Sequence, residues 1–62
     1  MDIEVYKRAY RAALPETRRE FADEREAKDR ASAIATVIAT GDTTDLRDSA
    51  AARAALVATQ EA

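Results

Sequence analysis

The run Ala31-Ser32-Ala33-Ile34-Ala35-Thr36-Val37-Ile38-Ala39-Thr40-Gly41 holds the two strongest structural signals in the chain. Ala27, Ala31, Ile34, Ala35 and Ile38 recur at three- and four-residue steps, which puts them on one face of an α-helix. Gly41 is the only glycine, and glycine enters the left-handed conformation that closes a helix without a Cβ clash. Beyond it, Asp42, Thr43 and Thr44 are N-cap residues for a third helix, and Asp45 suits the positive end of its dipole. The inner face expected for that helix is Leu46, Ala50, Arg53, Ala54 and Val57. So short a turn sends the third helix back along the second. Counting away from Gly41 pairs Leu46 with Ile38, Ala50 with Ile34, Ala54 with Ala31 and Val57 with Ala27, leaving Ala51 and Ala55 outside. Small side chains meet large ones along most of this seam, and an antiparallel helical hairpin follows.

Toward the N-terminus, Pro15 is the only proline. It lacks an N–H and disfavours helical geometry at Leu14, so a first helix is expected to end near Ala13. Proline suits the first turn of a new helix, and Thr17-Arg18-Arg19-Glu20 fits the capping-box pattern. The second helix then has a nearly all-charged first half. Arg19 and Asp23, Glu24 and Lys28, Arg25 and Asp29, and Glu26 and Arg30 are spaced as i,i+4 opposite pairs. In the first helix, Ile3, Tyr6, Tyr10, Ala13 and Leu14 form one stripe, while Glu4, Arg8 and Arg11 face solvent. Val5 and Ala12 sit nearly opposite the stripe, a hint of a second contact. Phe21 lies off the Ile34 face and is expected beside Leu14 and the tyrosines. The expected fold is all-α and a single domain over 1–62. Its N-terminal helix is short, about 2–13, and packs on an antiparallel hairpin of about 16–40 and 43–60.

Ile, Leu, Val and Phe supply only ten of the 62 residues, below the roughly 20% at which disorder becomes a concern. A net charge of −2 and a regular helical pattern argue instead for a marginal helical fold. A chain of this size hides only about 60% of the surface it exposes when unfolded. Stability must come from disulfides, a metal, association or very regular packing. With no cysteine and no histidine, association or very regular helix packing remains, and the chain reads as a homo-oligomer. No metal or other cofactor is expected, since no calcium-loop pattern occurs.

Lack of His and Cys removes the commonest general base and the best nucleophile. Ser32 and Ser49 have no partner base in view, so the chain reads as not an enzyme. No stretch approaches a membrane span and no basic-then-apolar leader opens the chain, so a cytoplasmic location is expected. Arginine outnumbers lysine and asparagine is absent, a coding bias that suits a GC-rich bacterial or phage gene.

Two kinds of partner remain. Lys7, Arg8, Arg11, Arg18 and Arg19 crowd the first third with Tyr6 and Tyr10 among them, a mixture that can hold phosphates and stack bases. Leu14-Pro15-Glu16-Thr17-Arg18-Arg19-Glu20-Phe21 resembles the opening of the DNA-binding region four of bacterial sigma factors. Ile34-Ala35 with Val37-Ile38 is similar to the first helix of the helix-turn-helix. That resemblance implies DNA binding through the third helix, but here the stretch after Phe21 is charged and the third helix opens with Asp42, Asp45 and Asp48. Acidic residues there would repel phosphate. A protein partner fits the residue types better. Tyrosine and arginine are enriched at binding hot spots, and Tyr6, Arg8, Tyr10 and Arg11 put both on one helix. The plainer role for the tyrosines is packing over the hairpin. The expected function is non-enzymatic binding of a protein, as in a small phage or mobile-element accessory factor or inhibitor. A nucleic-acid-binding regulator or a structural subunit of a larger assembly is the alternative.

Overall fold

The computed structural model describes residues 1–41 and 49–60, which form three helices and, among the described residues, no strand. They are α1 (Ile3–Glu20), α2 (Glu24–Thr40) and α3 (Ala50–Gln60).

Helix α1 starts where the carboxylate of Asp2 accepts hydrogen bonds from the Glu4 and Val5 amides, at 3.0 and 3.3 Å. Such a cap is worth about 1 kcal/mol. The helix does not stop at Ala13. It continues through Pro15 for 18 residues and ends at Phe21, whose extended backbone still donates its N–H to the Thr17 carbonyl at 2.9 Å. The expected short N-terminal helix is thus the longest of the three. Pro15 is tolerated because it is exposed. The Arg11 carbonyl that loses its helical donor lies on the same outer side, where water can replace it. Continuation also puts Ala9, Ala13 and Thr17, all fully buried, on a single line.

Thr17 is therefore not an N-cap. Its hydroxyl donates back to the Leu14 carbonyl at 3.0 Å, the usual way a mid-helix threonine is satisfied. Asp23 caps α2 instead, accepting from the Arg25 amide at 2.9 Å. With Glu26 three residues later, Asp23 carries the capping signal that Thr17 and Glu20 mimic. The break moves to Phe21–Asp23, so Arg19 and Asp23 no longer share a helix. Of the four i,i+4 pairs expected, only Lys28 and Glu24 approach, at 4.0 Å.

The buried face of α2 is Ala27, Ala31, Ile34, Ala35 and Ile38, as its periodicity requires. Gly41 closes it at φ +91°, donating its N–H to the Ile38 carbonyl at 3.1 Å. A Cβ there would meet no neighbour, so backbone conformation alone asks for glycine.

Ser49 opens α3, its hydroxyl accepting from the Ala52 amide at 3.0 Å. The third helix, expected from 43, is thus capped at Ser49, and the Leu46–Ile38 pairing lies outside the described residues. The rest of the seam is rotated. Ala51, Ala52 and Ala55 are buried, while Ala54 is half-buried and Val57 is 52% exposed. The cause is the partner: α3 packs mainly on α1, and shares a smaller contact with α2. α1 is the central element. At 18 residues it spans about 27 Å, nearly the full 29 Å length of the molecule.

Tyr6 reaches Ser32 while Arg18 reaches Glu24, so α1 and α2 run in opposite directions. The interior is a layer of methyl groups. Ala9, Ala13, Ala31, Ala35, Ala51, Ala52 and Ala55 surround Ile34 and Ile38, with Val5, Tyr6, Tyr10, Leu14 and Leu56 packed around them. Val5 thus takes up the second contact hinted at by its position. Phe21, half-buried at the end of α1, does not join this cluster.

Candidate protein-binding surface

Helical geometry separates the four residues singled out as contacts. At 100° per residue, Tyr6 and Arg8 point about 160° apart around α1. Tyr6 and Tyr10 are half-buried against the core, their rings stacked with centroids 6.1 Å apart and planes inclined by 22°. The Tyr6 hydroxyl is 2.9 Å from Ser32 Oγ, so its polar end is engaged with α2. Tyr6 therefore ties α1 to α2, and Tyr10 stacks on it against the core. Arg8 and Arg11 are exposed on the outer side. The structure does not bring the two pairs into one patch.

The outer side has its own geometry. Glu4, Lys7, Arg8 and Arg11 line an open recess of about 360 Å³, floored by Ala12 of α1 and Ala58 of α3. Three cations within little more than one turn repel each other. No ion pair relieves Lys7, Arg8 or Arg11 among the described residues. Arg18 and Arg19 follow on the same side, because α1 is continuous through Pro15. They differ from the first three in being engaged. Arg18 donates through Nε and Nη2 to Glu24 Oε1 at 2.9 and 2.7 Å, bridging the turn into α2, and Arg19 lies 3.5 Å from Glu16. Exposed pairs of this kind contribute about 0–1 kcal/mol.

Glu4 was legible in the sequence as part of the solvent side, and Lys7 only as one of the basic residues of the first third. Ala58 was not, because its place in the recess depends on how α3 is rotated against α1. Among the described residues no group of three or more carboxylates converges into a metal site, and no helix is long and apolar enough to cross a membrane. No protein-family model, curated protein or solved structure matches the chain.

Proposed function

We propose that this chain is a small helical binding protein, without enzymatic chemistry of its own, that engages a protein partner through the outer face of α1. One observation carries the reading: Lys7, Arg8 and Arg11 stand exposed and, among the described residues, without ion-pair partners on a helix packed from its other side. A binding surface on a rigid element loses little conformational freedom when occupied. Tyr6 and Tyr10 serve this surface as its backing. Inhibitor, adapter and structural subunit are roles such a surface can fill.

Self-association belongs to the same reading. Met1, Ile3 and Val57 are 67%, 53% and 52% exposed, so large apolar side chains lie outside an alanine interior. A second copy would cover them. Nucleic acid is the second reading, favoured by the alignment of Lys7, Arg8, Arg11, Arg18 and Arg19 along one side of α1. Against it stand the pairing of Arg18 and Arg19 with carboxylates and the net charge of −2.

The test is quantitative capture of partners from source cells by the wild-type chain and by Arg8→Ala/Arg11→Ala. Exposed substitutions change stability by under about 0.5 kcal/mol, whereas a desolvated interface arginine can be worth about 2 kcal/mol or more. The variant should keep its helicity and lose the partner. Equal recovery by both proteins moves the site off α1.

A further inference from the structure

Resting on the reading of α1 as the contact face, we propose that the recess between α1 and α3 receives an acidic helix of the partner protein, with two carboxylates one turn apart and a cation one turn beyond them. The charge order along α1 sets this pattern. Glu4 comes first, then Lys7 and Arg8 one turn on, then Arg11 a further turn on, all on one recess. A complementary helix places a lysine or arginine opposite Glu4 and carboxylates opposite the Lys7–Arg8 and Arg11 levels. Arginine binds carboxylates through a planar fork, which favours fixed pairing over a diffuse charge contact.

The floor argues for a helix. Ala12 and Ala58 are the residues beneath the charges, and methyl side chains let a second backbone come close. Neither wall offers a strand edge, so an extended segment entering the recess would gain no ladder of main-chain hydrogen bonds. A helix makes its own. Glu4 argues for protein over nucleic acid. A phosphate backbone brings only negative charge, and a carboxylate within the recess repels it, whereas a mixed-charge helix uses Glu4 as a fourth contact.

The experiment follows amide resonances of the full 15N-labelled chain during titration with three probes. One is a blocked helical peptide with two glutamates one turn apart and a lysine one turn beyond, the second is its charge-exchanged counterpart, and the third is oligothymidylate. The first peptide is expected to shift the amides of Glu4 through Ala12 and of Ala58, and the other two are not. Arg8→Glu should weaken that binding by about tenfold or more, the scale of close charge pairs across interfaces. Glu4→Lys should weaken binding of the mixed peptide while strengthening that of an all-acidic one. Silence of the mixed peptide at millimolar concentration overturns this inference. If Arg8→Ala/Arg11→Ala nevertheless loses the cellular partner, the reading of α1 as the contact face survives alone. Shifts of the same amides by oligothymidylate would overturn both.

Discussion

Replacing Pro15 by alanine should stabilise the protein, and the size of the gain is a direct measure of what α1 gives up to continue through this residue. In a helix interior proline is about 3 kcal/mol less favourable than alanine. The residue is exposed, so no packing is lost with the ring. Proline also restricts the unfolded chain, an effect worth about 0.4–1 kcal/mol that the variant forfeits. The difference leaves a net gain of about 2 kcal/mol. At this chain length each kcal/mol moves the melting midpoint by about 4–8 °C, so Tm should rise by roughly 8–16 °C. Circular dichroism at 222 nm, followed through a thermal scan at fixed protein concentration, reads the shift. Pro15→Gly separates the causes. Glycine restores the N–H but has about 1 kcal/mol less helix propensity than alanine, so its gain should be smaller. A Tm that falls in Pro15→Ala would refute the reasoning, because it would mean that the packing of Ala13 and Thr17 needs the geometry proline imposes.

Three further outcomes follow from the packing. Ala51→Leu and Ala55→Leu, at fully buried positions on α3, should each lose about 1–3 kcal/mol by overpacking; Ala54→Leu, half-exposed, should change far less in the same denaturant titration. Tyr6→Phe leaves Ser32 without its partly buried partner and should lose about 0.5–1.5 kcal/mol, read by chemical denaturation, while Tyr10→Phe, with no such bond, serves as the reference. Analytical ultracentrifugation across a hundredfold dilution should show mass above the monomer at high concentration, and a strict monomer throughout would remove self-association through Ile3 and Val57.

The inner face of α2 was legible because Ile34 and Ile38 are large, and because charged or threonine side chains fill the opposite side. Gly41 needed no tertiary context at all. The C-terminal third of α1 was misread for a physical reason: proline's local penalty is large, yet it is smaller than what the chain gains by extending the Ala9–Ala13–Thr17 line into the core. Asp23 and Glu26 held the true start of α2, but Thr17 and Glu20 carry the same spacing. Helix α3 was read with Ala50, Arg53, Ala54 and Val57 inward, whereas Ala51, Ala52 and Ala55 are the buried residues. Ala50, Ala51, Ala52, Ala54, Ala55, Leu56, Val57 and Ala58 are apolar around the whole circumference, and only Arg53 interrupts them before Thr59. Pattern cannot choose a face when every face qualifies, so the neighbour chose it. The exposure of Arg8 and Arg11 was readable from the α1 stripe. Their separation from Tyr6 and Tyr10 was implicit in the same angles, and the recess was not, since Ala58 comes from the helix whose inward face was misassigned.

An interior built from alanine methyl groups also has a thermal consequence. The heat capacity of unfolding comes mainly from apolar surface newly exposed to water, at about 0.45 cal/K/mol per Å². Among the described residues Ile34 and Ile38 are the only large aliphatic side chains that are buried, so that surface is small. The increment should fall below the usual value of about 12–15 cal/mol/K per residue. A low increment flattens the curve of stability against temperature, pushes cold denaturation far below freezing, and spreads heat unfolding over a wide interval. Such a protein changes its folded fraction gently on warming or cooling. A partner that covers its outlying aliphatic side chains would add the missing increment, so association would register in a calorimeter as a sharper transition as well as a higher one.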